Sequence, residues 1–208
     1  MHTPLRFSRQ CLLAMTLAAS ALGALAAPLT YHVTIDTRAQ GLPASGLLDL
    51  SFGALVGAAP ATATVRNFST NIGAAASSDG AVVDRADGSF VIRNDTSTAI
   101  NYLDLVATFG GFIDFDVAFD DGFLVNGGFN STFAVSLLDD GFMYLGNPLG
   151  DLTFELLPGT GITVSPGSAF ATASAVPEPS EMLMMMMTGL GLVGFMLRRR
   201  KAVPARVF

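Results

Sequence analysis

Read at period two, the chain divides into a middle that alternates and two ends that do not. In the middle, apolar and polar side chains take turns in run after run, the pattern of strands with one buried face. Tyr31, Val33 and Ile35 face one way, and His32, Thr34 and Asp36 the other. Leu48, Leu50 and Phe52 alternate with Asp49 and Ser51. Residues 62–68 are Thr-rich and strand-like, Phe90 and Ile92 follow the turn Arg85-Ala-Asp-Gly88, and 102–109 make a long apolar strand. The sharpest run is 112–119, where Ile113, Phe115, Val117 and Phe119 line one face and Asp114, Asp116 and Ala118 the other. Phe133, Val135 and Leu137 repeat the pattern, then Leu152, Phe154 and Leu156, and Ile162 and Val164 close the series.

Glycine punctuates these runs. Two of the turns echo each other, Phe119-Asp-Asp-Gly-Phe123 and Leu138-Asp-Asp-Gly-Phe142. Asp-Gly between alternating runs signals a hairpin, because Gly takes a positive φ without penalty. Residues 73–80 and 166–175 read as loops, and no amphipathic helix of useful length is expected between the ends. About nine or ten short strands predict an all-β fold, an antiparallel β-sandwich or jelly-roll-like domain over 28–165, followed by a linker over 166–176.

The ends carry different chemistry. Residues 1–27 hold Arg6 and Arg9, an apolar run from Cys11 to Leu25, and small residues at Ala24, Ala26 and Ala27. Those three parts make a secretory signal peptide, a signal helix cleaved after Ala26 or Ala27 by signal peptidase and served by the secretion machinery. At the other end, Pro177 and Pro179 fix φ and remove two backbone donors, so the chain is extended there, with Glu178 held between them and no helix before Ser180. Residues 182–197 carry no charge. As a helix they rise about 24 Å against a hydrocarbon core of roughly 30 Å, a gap that local thinning and snorkelling flanks can close. Arg198, Arg199, Arg200 and Lys201 then stand together. Each would cost about 2.5–3.5 kcal/mol to insert at the bilayer centre, so the block should stop transfer and stay cytoplasmic, with 202–208 as a cytoplasmic tail.

Charge sharpens the division. The chain carries a net charge of −6, yet between the two ends only Arg38, Arg66, Arg85 and Arg93 face fifteen acids, and there is no Lys. Such a domain repels nucleic acid and anionic lipid, so no nucleic-acid partner is expected. Its single Cys, Cys11, lies in the signal peptide, so disulfides do not hold the domain.

Candidate chemistry is sparse. A Ser–His–acid arrangement would need His32, the one His of the domain, on the polar side of the first strand; no G-x-S-x-G occurs. Asp114 and Asp116 share a face about 6.6 Å apart, a separation compatible with glycoside hydrolysis, but Trp is absent, and a solvated face is the expected reading. Asp116, Asp120, Asp121, Asp139 and Asp140 offer hard oxygen ligands for Ca²⁺ if the two Asp-Asp-Gly turns meet; otherwise they are turn chemistry, and no other cofactor is expected. Asn67-Phe-Ser69, Asn94-Asp-Thr96 and Asn130-Ser-Thr132 match the N-glycosylation pattern.

The order Pro177-Glu178-Pro179, short apolar stretch and Arg-rich terminus resembles the PEP-CTERM sorting signal of Gram-negative bacteria, over about the last 25–30 residues. The resemblance implies recognition by an exosortase, an integral-membrane Cys protease or transpeptidase. It implies cutting near the Pro-Glu-Pro element and delivery to the cell surface or an extracellular polysaccharide matrix. Residues 202–208 make a longer tail than the family's pattern. The expectation is an exported, non-enzymatic protein, single-pass in the inner membrane before processing. The alternatives are a glycan- or Ca²⁺-binding surface module and an unprocessed membrane protein.

Overall fold

A computed structural model of the chain describes residues 29–38, 41–94, 100–147 and 149–176. The expected signal helix and the whole of the expected sorting tail, including the transmembrane helix at 182–197, lie outside the described residues. Residues Pro28–Val176 form one compact unit.

That unit is all-β. In chain order it holds β1 (Leu29–Asp36), β2 (Ser45–Ala54), β3 (Thr62–Arg66), β4 (Ile72–Asp79), β5 (Val82–Asp84), β6 (Phe90–Arg93), β7 (Ile100–Thr108) and β8 (Phe112–Phe119). A four-residue helix, α1 (Gly122–Val125), precedes β9 (Ser131–Leu138), β10 (Leu152–Leu157), β11 (Gly161–Pro166) and β12 (Ala171–Ala175). The strands form two antiparallel six-stranded sheets, ordered β12-β1-β8-β3-β6-β5 and β11-β10-β9-β2-β7-β4. The chain changes sheet at most connections, so the sheets cannot separate without opening contacts distant in sequence.

The alternating rows fall where period two puts them. Val33 and Ile35, then Ile113, Phe115, Val117 and Phe119, are fully buried from the first sheet, and Leu48, Leu50, Phe52, Phe133, Val135 and Leu137 from the second. Five rings interlock at one end of this core. Phe119 of the first sheet meets Phe52, Phe133 and Phe154 of the second at centroid distances of 6.4, 5.6 and 5.4 Å, and Tyr31 closes on Phe154 at 5.2 Å. The planes are tilted or edge-on, the arrangement that the ring quadrupole favours. Beside the rings, the buried Asn94 ties the sheets together. Its amide accepts from Ala61 N–H (2.8 Å) and donates to the Ala59 carbonyl (2.6 Å) and to Ser131 Oγ (3.1 Å).

Four local expectations are corrected. The presumed loop 73–80 is β4, held on β7 with register shifts after Ile72 and Ala75. Its Gly-Ala-Ala-Ala-Ser-Ser side chains are too small to alternate in hydropathy, so only the hydrogen bonds of β7 reveal it as a strand. The presumed linker 166–176 contains β12, which pairs with β1 from Ile35↔Ala171 to Tyr31↔Ala175, so the domain runs to Val176. The first Asp-Asp-Gly turn is not a hairpin but leads into α1, whose Phe123 is buried. In the second, the positive φ falls on Phe142 (63°), because Asp139 takes Gly141 N–H and Met143 N–H on one carboxylate oxygen. The turn Arg85–Gly88 forms as expected, with Gly88 at φ 77° between β5 and β6.

Phe119→Ala would leave a cavity among four rings. It should destabilise the domain by about 3–5 kcal/mol in urea unfolding, whereas a similar truncation at the exposed Phe142 should cost under about 1 kcal/mol.

Candidate functional site

Among the described residues, three gatherings of polar side chains bear on the candidate chemistry. The first is the outer face of the β1–β8–β3 ladder. His32 stands directly across from Asp116, and Nδ1 lies 2.8 Å from its carboxylate. His32 Nε2 lies 3.8 Å from Asp114. Asn67, held at φ 59°, donates to the other Asp116 oxygen (2.7 Å), and Thr34 Oγ1 donates to Asp114 (2.7 Å). Burial pushes the Asp116 carboxyl up, but the hydrogen bonds of Asn67 and His32 and the charges of His32 and Arg66 outweigh it and hold it below the usual range. A carboxyl so held cannot serve as a general acid, which needs a raised pKa. His32 Nδ1 is thus engaged by Asp116, while Nε2 has only the longer approach to Asp114.

The five aspartates proposed as Ca²⁺ ligands do not converge. Asp120 follows β8 and is bound to β3: its Oδ1 accepts from Thr62 N–H (3.0 Å). That is the end of the sandwich where Asn94 meets Ser131, the first residue of β9. Asp139 and Asp140 follow Leu138, the last residue of β9. The two turns therefore lie at opposite ends, about 25 Å apart along an eight-residue strand, and Asp116 sits on a sheet face between them. Among the described residues no group of three or more His, Cys, Asp or Glu side chains is placed to hold a metal ion. Asn94, the acceptor residue of the second sequon, is itself buried, with its amide engaged on both its oxygen and its nitrogen. Pro177, Glu178, Pro179, Ser180, the cations Arg198, Arg199, Arg200 and Lys201, and the small residues Ala24, Ala26 and Ala27 lie outside the described residues.

The second place is a shallow open groove between Asp36, Arg38, Phe112 and Phe170. Arg38 clamps Asp36 through Nε (2.8 Å) and Nη2 (2.7 Å), holding its carboxyl down at about 2, and lies 4.1 Å over the Phe112 ring. The guanidinium thus covers the ring face that a sugar would stack on.

The third is a pair that alternation alone does not reveal. Asp49 of β2 and Asp104 of β7 are directly opposed on the outer face of the second sheet, and both are buried. Ser77 Oγ donates to Asp104 Oδ2 (2.5 Å). Burial first, then the Asp104 charge and the hydrogen bond between the carboxyls, push Asp49 up to about 7. Asp49 is the expected polar member of its strand, and Asp104 interrupts a run whose sequence reads as apolar; the register that opposes them is not a property of either segment. Comparison with protein-family models, curated proteins and solved structures returns no match to this chain.

The pair gives stability a pH dependence of known sign. Unfolded, Asp49 ionises near ~3.9; folded, near 7. Folding therefore holds an extra proton between about pH 4 and 7, and the stability present at pH 4 is lost as pH rises through 7. Asp49→Asn keeps a donor for Asp104 and has no proton to lose. It should match the wild type near pH 4 and exceed it by on the order of 2 kcal/mol at pH 8 in urea unfolding. An unchanged difference between variant and wild type across that range would contradict the pairing.

Proposed function

We propose that this chain is an exported, non-enzymatic protein that carries a C-terminal PEP-CTERM-type sorting signal. It is tethered at the inner membrane by the apolar stretch 182–197, cut near Pro177-Glu178-Pro179 by an exosortase, and delivered to the cell surface or its polysaccharide. The observation that carries this reading is the order of three chemistries in the last residues: rigid Pro-Glu-Pro, an uncharged run, and four consecutive cations. The chain is the substrate of that reaction, and the partner supplies the catalytic Cys. Pro177, Glu178 and Pro179 are the recognition element, and Arg198–Lys201 set topology against the insertion cost of charge.

The architecture of the domain supports the reading in one respect. The last backbone bond among the described residues, Val176 N–H to the Thr30 carbonyl (2.8 Å), lies immediately before the Pro-Glu-Pro element. A cut within 177–180 therefore falls beyond every strand of the described sandwich. The acidic outer faces, with no lysine, suit a protein that stays dispersed outside the cell.

The test is intact mass of the protein recovered separately from membrane and surface fractions of its native host. The surface species should end near Pro177–Ser180 or carry an added group there. Replacing Pro177, Glu178 and Pro179 together by Ala should abolish that species and leave full-length protein in the membrane. If every wild-type copy retains 182–208, the tail is a plain anchor and the protein a single-pass membrane protein.

A further inference from the structure

We propose that one end of the sandwich, built from the β2–β3 and β8–β9 connections, is a lipid-contacting surface that rests on the bilayer to which the chain's own tail is tethered. Large apolar side chains stand in solvent there: Leu55 and Val56 are 70% and 82% exposed, and Val125 and Phe129 are 77% and 60% exposed. Ile100, across from Gly53 at the same end, is 54% exposed. Folding gains nothing from side chains left in water, and large apolar side chains gathered at one end of a domain are the kind of feature that marks a contact surface.

The two connections are built to present these residues together. Phe129 N–H donates to the Gly57 carbonyl (3.0 Å), and Ala59 N–H donates to the Phe129 carbonyl (3.1 Å). Gly128, at φ 153°, permits the approach, since a Cβ there would lie 2.6 Å from the Ala59 nitrogen. Buried Phe123 pins α1 beneath Val125. The apolar tips are thus held on a braced double loop.

The occupant follows from where the chain leaves the domain. Leu29 opens β1 opposite Phe119, and Val176 closes β12 on Thr30. Phe119 is followed by Asp120, bound to Thr62, and that is the end carrying the double loop. Leu29 and Val176 therefore lie at the end of the sandwich that carries Leu55, Val56, Val125 and Phe129. In sequence they lead to the two long apolar segments, 11–25 and 182–197, the latter only six residues beyond Val176. Six residues span at most about 20 Å, so a bilayer holding 182–197 is within reach of this end. The opposite end also exposes apolar groups, Phe142 and Tyr144 among them, but no chain end leaves there. Asp120 and Asp121 flank α1, so zwitterionic lipid is the fitting partner and anionic lipid is disfavoured. Side chains of this kind settle at the boundary between headgroups and acyl chains.

This inference rests on the anchoring role of 182–197, and the test separates the two. The chain contains no Trp, so single Trp substitutions report without background. The full chain, as Val56→Trp, Phe129→Trp or the opposite-end control Tyr144→Trp, is reconstituted with phosphatidylcholine–phosphatidylethanolamine vesicles, with and without brominated acyl chains. Flotation reads anchoring, and Trp emission reads loop contact. The expected result is flotation of all three, with blue-shifted emission and bromine quenching at positions 56 and 129 but not at 144. Flotation with all three unquenched overturns the lipid surface and leaves the anchor standing. Quenching at 144 equal to that at 56 and 129 also overturns it, as does a blue shift without quenching, which would mean a protein occupant such as a second copy. Failure to float overturns the anchor and the lipid surface together.

Discussion

The sandwich depends on burying two apolar faces against each other without the usual reinforcements of an exported domain. There is no disulfide in it and no tryptophan to fill it. Phenylalanine takes that role. Phe52, Phe119, Phe133 and Phe154 come from four strands and both sheets, and each touches at least two of the others. Because β2 lies far in sequence from the consecutive strands β8, β9 and β10, the cluster is complete only when these two parts of the chain meet. Asn94 completes the same region with the opposite kind of bond, a buried amide whose partners come from β9 and from the chain entering β3. One end of the sandwich is thereby fixed by rings and an amide together, and it is the end at which Leu29 and Val176 lie.

With the inner faces apolar, the acids are left to the outer faces, and the two sheets manage them differently. On the first sheet Asp114 and Asp116 are met by donors, His32, Thr34 and Asn67, and remain partly in water. On the second sheet Asp49 and Asp104 meet each other, with Ser77 as one of the few hydroxyls at hand. The same residue type is therefore settled as an ion in one place and as a proton-sharing acid in the other. Cross-strand partners decide which, and a single strand's sequence does not contain them.

This difference marks how far the sequence could be read. Strands with large apolar residues at every second position, such as 112–119 and 133–137, were legible because burial of one face forces the pattern. β4 and β12 were not, since runs of Ala and Ser bury little on either face and are strands only because β7 and β1 offer them partners. Asp-Asp-Gly was read as a hairpin from glycine's freedom, yet the carboxylate of Asp139 arranged its turn around Phe142, and Asp121 led into a helix. Whether the scattered aspartates meet in one metal site is not legible, because spacing in sequence does not say which end of a sandwich a turn occupies. The tail motif, by contrast, is legible without any fold, since its chemistry lies in the order of residues along the chain.

The closure of β12 on β1 has a mechanical side. Any load transmitted through the C-terminal segment enters the domain at Val176, on a five-residue strand paired on one flank only. Because β1 and β12 are antiparallel and their free ends lie together, such a load acts across the ladder and opens its bonds one after another, Val176–Thr30 first. The strand would peel like a zip while the four phenylalanines of the cluster, none of them on β1 or β12, stayed packed. β12 is thus a compliant strip between the core and whatever holds the end of the chain, able to lengthen under tension and to re-pair when the tension ends.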